Sequence, residues 1–155
     1  MIKIGKLTDY AIVVMGQLSK EGCGVSRSAH YLSDKTGVPE PTVAKVLKLL
    51  AQEGLLDSVR GAAGGYKLSK TPDKISVAEI ITALDGTIAI VSCVEGSAES
   101  CKVAATCPVR GNWDWVNKAI KAALEEVKLS DMTIPPCGNS YDLTKKTQSA
   151  GEEVR

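Results

Sequence analysis

The sequence predicts a mainly α-helical chain that carries one small β-hairpin, and three observations predict it. Phe is absent and aromatic residues make up only 4% of the 155 positions. The core must therefore be built from Leu, Ile, Val and Ala, which suits packed helices better than an aromatic-rich β sandwich. Apolar residues recur at helical spacing in several separate stretches, the mark of helices that bury one face. A glycine-rich run, Gly61-Ala-Ala-Gly-Gly65, separates two short segments of strand character, which is the pattern of a hairpin.

The first helix opens at Thr8-Asp9 and runs to about Lys20, with Leu7, Ala11, Val14 and Leu18 as its buried stripe and Gly22 and Gly24 ending it. A second starts after Ser26 or Ser28 as cap, turns Ala29, Leu32 and Tyr31 inward, and stops at Thr36-Gly37. Val38-Pro-Glu-Pro41 makes the turn into a third helix reaching about Glu53. Pro41 sits in its first turn, where the missing N–H costs nothing. Val43, Val46, Leu47 and Leu50 form the inner face of that helix; Pro41, Lys45, Lys48 and Gln52 point the other way. Two helices joined by a Gly-containing turn, the second with a basic exposed face, is helix-turn-helix geometry.

The hairpin, Leu55–Arg60 and Tyr66–Lys70, follows this helix directly and reads as a wing. Pro72 then breaks the chain. Ser76 and Glu79 form a capping box for a helix containing Val77, Ile80, Ile81 and Leu84, which Asp85-Gly86 ends. The apolar link Thr87–Val91 leads into a loop with Cys93, Cys101 and Cys107. After Pro108, a long helix carries Val109, Trp113, Val116, Ile120, Leu124 and Val127 along one stripe for over five turns. That stripe is predicted to bury itself on a second copy of the chain, with Trp113, Val116, Ile120, Leu124 and Val127 as the dimer interface. Trp115, off the stripe, is expected to cover the cysteine loop. The organisation expected is thus a winged helix-turn-helix domain over 1–86, a cysteine loop and dimerisation helix over 87–133, and a polar, disordered tail over 134–155.

The net charge of +1 hides an asymmetry: residues 1–75 hold eleven Lys/Arg against seven Asp/Glu, and residues 76–155 hold eight against eleven. A front half at +4 suits contact with phosphate, although four charges alone also fit a plain solvated surface. The wing and turn beside Lys45, Lys48 and Gln52 favour DNA over that plainer reading. Lysines there touch phosphate, Thr42 and Gln52 can read base edges, and Arg60 can enter the minor groove. Gly61, Gly64 and Gly65 leave the wing tip before Tyr66 almost free of side chains, so backbone can approach a groove closely.

No apolar run reaches the roughly 18–20 residues that span a bilayer, and the N-terminus lacks the features of a signal peptide. The expected location is the cytoplasm, with no membrane partner. Five cysteines is an odd number, and clustered cysteines in a reducing compartment point to metal or redox chemistry before disulfides. The gaps of seven and five residues between Cys93, Cys101 and Cys107 are wider than the usual zinc knuckle and unlike ferredoxin spacing. A single His with scattered carboxylates offers no convergent acid, base or nucleophile set, so neither an enzyme nor a small-molecule substrate is expected. A redox or electron-transfer protein, and a cluster-free or zinc-bound regulator, are the alternative readings.

Leu7-Thr8-Asp9-Tyr10-Ala11, Pro41-Thr42-Val43, Arg60-Gly-Ala-Ala-Gly-Gly-Tyr66, Ile75-Ser-Val-Ala78, the three cysteines and Arg110-Gly-Asn-Trp113 together resemble the IscR/NsrR family of winged-helix iron–sulfur regulators. Within it they resemble the regulators of SUF-system iron–sulfur assembly, over about residues 1–133. The resemblance implies a cytoplasmic homodimer on a pseudo-palindromic double-stranded operator, repressing assembly genes, with DNA affinity controlled by an iron–sulfur cluster. It also makes Cys93, Cys101 and Cys107 the thiolate ligands. Where the two-iron members place a His three residues after the last cysteine, this chain has Arg110, which has no lone pair to give a metal. Asp9 matches the acidic residue that completes a four-iron cluster from the partner subunit in the nitric-oxide-sensing relatives. A four-iron cluster with Asp9 as fourth ligand is therefore preferred over a two-iron site. His30, Cys137 and an exogenous group are the other candidates, and an acidic residue in a first helical turn also fits the helix dipole alone.

Overall fold

In the computed structural model, residues 3–94, 97 and 101–133 are described. Helix α1 (Lys6–Glu21) is followed by α2 (Ala29–Thr36), α3 (Glu40–Gln52), a two-stranded hairpin of β1 (Leu56–Val59) and β2 (Gly65–Leu68), and a 3-10 turn (Pro72–Lys74). Helices α4 (Val77–Asp85), α5 (Trp113–Glu126) and α6 (Leu129–Thr133) complete the order. The strands pair antiparallel, from Leu56 opposite Leu68 to Val59 opposite Gly65.

The stripes read from the sequence make the core. Ala11, Val14 and Leu18 of α1, Leu32 of α2, and Val43, Val46, Leu47 and Leu50 of α3 are buried together with Leu55, Leu56, Ile75 and Ile80. Each fully buried aliphatic side chain contributes about 1.5–3 kcal/mol of transfer free energy, which makes α1 and α3 the frame that holds the exposed face of α3. The Ser28 hydroxyl accepts from the Tyr31 N–H at the start of α2, and Gly37 (φ +73°) closes that helix. Both halves of the Ser76–Glu79 capping box are formed.

Three expectations are corrected. Helix α1 begins two residues early, at Lys6, and the N–H of the preceding Gly5 donates to Asp85 Oδ2 (3.3 Å) at the far end of α4. Thr8 thus falls inside the helix and is fully buried. The long C-terminal helix is shorter than its stripe. Residues 107–112 form successive turns, Gly111 takes φ +80°, and the helix begins only at Trp113. At the other end Val127 is an extended cap (ψ 123°) rather than a helical residue.

After Val127 the chain returns to the winged-helix core. The Val77 N–H donates to the Val127 carbonyl (2.9 Å) and the Leu129 N–H to the Ile75 carbonyl (2.8 Å). Leu129 is fully buried and belongs to the same core as α1 and α3. The tail from 134 on, including Cys137, lies outside the described residues.

Candidate DNA interface and cysteine loop

The exposed face of α3 is as its spacing requires: Pro41, Lys45, Lys48 and Gln52 are exposed, and Thr42 is half-buried in the first turn. Arg60 and Gly61 stand exposed at the hairpin tip, while Gly64, Gly65 and Tyr66 are half-buried. The last three have a structural task that the sequence did not reveal. Tyr66 exchanges both backbone hydrogen bonds with Arg27 (2.9 Å each), an isolated bridge that ties the segment before α2 to the hairpin. A Cβ on Gly65 would lie 2.3 Å from the Arg27 carbonyl oxygen, and one on Gly64 would lie 2.7 Å from that of Val59. These two glycines therefore admit backbone of the same chain, whatever else the wing meets.

Arg27 is in turn held by Glu21, the last residue of α1. Glu21 Oε2 accepts from Arg27 Nη2 (2.8 Å) and Nε (2.9 Å), and Oε1 accepts from the Tyr31 hydroxyl (2.9 Å) and Gln17 Nε2 (2.7 Å). Those bonds, the Arg27 guanidinium first, hold the Glu21 carboxyl below the usual carboxylate range. The guanidinium also lies over the Tyr31 ring, 4.9 Å from its centroid. Thus α1 and α2 meet at one carboxylate, and the Arg27 backbone ties that corner to the wing at Tyr66. A Glu that accepts four hydrogen bonds from three residues up to ten positions away leaves no periodic trace in a sequence.

His30 is exposed. Its Nδ1 lies 3.0 Å from Glu40 at the start of α3 and its Nε2 lies 3.5 Å from Asp34. The bond to Glu40, with the negative charge of Asp34, raises its pKa.

In the cysteine loop, Cys93, Cys101 and Cys107 are half-buried free thiols, and Cys23, in the turn after α1, is exposed. The described residues of the loop from Cys101 on form turns: the Cys101 carbonyl accepts from Ala104 and the Cys107 carbonyl from Arg110. Asp9 is exposed on α1, and Arg110 is exposed. Among the described residues of this single chain, no three His, Cys, Asp or Glu side chains converge on one point where a metal ion would sit. A loop of consecutive turns has no ladder of backbone bonds to hold sulfur atoms together. Trp115 does not cover this loop; it is 78% exposed.

The face of α5 is also redistributed. Trp113 and Val116 are 39% and 43% exposed, whereas Ile120, Leu124 and Val127 are half-buried. The most buried residue of α5 is Asn117, at 8%. Its Nδ2 donates to the Ile88 carbonyl (3.0 Å) and its Oδ1 accepts from the Ile90 N–H (3.1 Å). The signal was present: 113, 117, 120 and 124 keep helical spacing as well as a stripe through Val116 does, but a polar residue in the middle argued against it. Nearby, Ile4, Ile81, Ile88, Ile90, Ile120 and Leu124 line a cleft of about 490 Å³ between α4 and α5.

No described helix is long and apolar enough to cross a membrane. The fold is shared with solved structures of bacterial regulators. The global cysteine regulator CymR of Bacillus subtilis superposes with TM-score 0.69 at 28% identity, covering 86% of this chain and 97% of its own. A structure described as T. potens IscR gives TM-score 0.61 at 26% identity, covering 99% and 94%. The HTH-type transcriptional regulator NsrR of B. subtilis is 24% identical over 131 residues, 84% of this chain and 90% of the relative. Residues 4–134 match the family Rrf2, described as "Iron-dependent Transcriptional regulator". With its helix-turn-helix, its wing and a match over most of its length, the chain belongs to the Rrf2 family of DNA-binding transcriptional regulators.

Proposed function

We propose that this regulator is a cytoplasmic homodimer that represses iron–sulfur assembly genes, and that an iron–sulfur cluster on Cys93, Cys101 and Cys107 controls its affinity for a pseudo-palindromic operator. The observation that carries the reading is the set of three half-buried free thiols within fifteen residues, in a loop whose entering link is hydrogen-bonded to α5. Thiolates are the donors that iron–sulfur clusters take, so the donor set fits the group in kind. Asp9, exposed on α1, is the fourth ligand of our proposal, supplied to the loop of the other subunit. Arg110 is excluded by its chemistry. When bound, the cluster supplies an iron- and redox-labile crosslink between three points of the loop.

The chain's own residues do the rest. Lys45 and Lys48 contact phosphate, Thr42 and Gln52 face base edges, and Pro41 sets the start of the helix that carries them. Arg60, with the wing tip Gly61–Tyr66, meets the adjoining groove. Trp113, Val116, Ile120, Leu124 and Val127 form the interface between copies. For both α3 helices to dock, half-sites must lie about 34–36 Å apart, so a change in how the loop holds α5 alters affinity through spacing.

Anaerobic purification followed by native mass spectrometry reads the cluster and its nuclearity from the mass increment. The reading requires a colour-bearing protein whose cluster is weakened by Asp9→Ala and abolished by Cys101→Ala. A colourless preparation after reconstitution with ferrous iron and sulfide would overturn it. The second reading is a regulator that holds no cluster. The scattered thiols of the single chain favour it, and it predicts equal DNA affinity with and without iron.

A further inference from the structure

Residues Ile88 and Ile90 present one carbonyl and one N–H on the same side of the link that enters the cysteine loop, three residues before Cys93. Asn117 takes both with a single side-chain amide, as a neighbouring strand would. It sits one turn into α5 and is almost fully buried. The opposite end of α5 is also fixed, through the backbone bonds from Val77 to Val127 and from Leu129 to Ile75. Lys70, just past the wing, pairs with Glu79 of α4 (3.0 Å). Hydrogen bonds thus tie the link that enters the cysteine loop to α5, and the far end of α5 to the start of α4, which pairs through Glu79 with the residue after the hairpin.

We propose that Asn117 is the positioning residue that transmits the state of the cysteine loop to α5, and through α5 to the DNA-binding face. The inference rests on the reading of that loop as the sensing element. Its physical basis is that a polar side chain at the centre of a buried helix face is costly unless both its groups are satisfied. Here both are satisfied by the backbone of the link, so moving the link by the length of a hydrogen bond forces α5 to follow or breaks both bonds.

A merely structural Asn117 would satisfy two backbone groups and nothing more; its loss would lower stability equally with and without a cluster. Transmission predicts a different readout. The probe is a 30-base-pair duplex recovered from random DNA by selection with the full-length wild-type protein. Its affinity is measured by fluorescence anisotropy with the cluster present and after its removal, and the ratio of the two is the coupling, typically about 5–150-fold for such linkages. Asn117→Leu, which keeps the branched shape and removes both bonds, is expected to bring that ratio to within about twofold of one while still holding a cluster by absorbance. If Asn117→Leu fails to fold or to take up the cluster, Asn117→Asp decides by the same ratio, since it keeps the acceptor for Ile90. A wild-type ratio in a cluster-loaded variant would overturn the proposal. A wild-type protein that binds no cluster would instead defeat the sensing reading, before any variant is made.

Discussion

Thr8 presents a hydroxyl to the core with no hydrogen-bond partner among the described residues, in the first turn of α1 beside the exposed Asp9. Burying an unpaired hydroxyl costs about 1–3 kcal/mol, and Val fills the same space without it. Thr8→Val is expected to stabilise the chain by about 1 kcal/mol, read as a higher urea midpoint at unchanged slope. A lower midpoint would mean that the hydroxyl has a partner in solution. His30 gives a second test at this scale, because it is the single histidine of the chain. Its pKa is raised by Glu40 and Asp34. The pairing therefore favours the folded state fully below the ordinary histidine value near 6.5, and this contribution fades as pH rises through the raised, folded-state value. The imidazole proton resonance is expected to titrate above that ordinary value and to move back toward it in Glu40→Gln. Both features were beyond the sequence for the same reason. The burial of Thr8 depends on how α1 packs into the core, and the environment of His30 depends on how α2 turns onto α3.

The elements themselves were largely legible. Helix α3 could be read residue by residue because its four buried positions and its exposed basic face repeat at one period. The capping box of α4 could be read because its signal is four residues long. Where a neighbouring segment decides the outcome, periodicity is silent. The wing glycines are set by the approach of Arg27, the start of α5 by the turns at 107–112, and its inner face by the link that Asn117 grips. At this scale the exposed face of α3 carries a direct prediction. Lys48 is exposed, so Lys48→Ala should leave thermal stability unchanged. Its loss should weaken binding on all sequences alike and reduce the slope of log affinity against log salt by about one. An unchanged slope in a titration from low to moderate salt would remove Lys48 from the phosphate contacts.

The whole molecule joins a basic front half to an acidic back half, with α6 returning to lie on α1 and bury Leu129 in the common core. The partly exposed Trp113 and Val116 occupy the first turn of α5, where a twofold axis would let the same patch meet itself. Val116→Asp places a charge on that patch without touching the core. It is expected to yield a folded monomer by sedimentation, with operator binding lost to the extent that both half-sites are needed. Retention of the dimer would move the interface elsewhere.

Because α5 is pinned to the link at one end and stitched to the start of α4 at the other, its length is a set dimension of the molecule. Adding a single residue to an α-helix rotates everything beyond it by about 100°. One alanine inserted between Asn117 and Leu124 would therefore swing Trp113 away from its place relative to the recognition helix, or tear one anchor loose. Evolution can lengthen the turns before Trp113 far more freely than it can the rod that follows them.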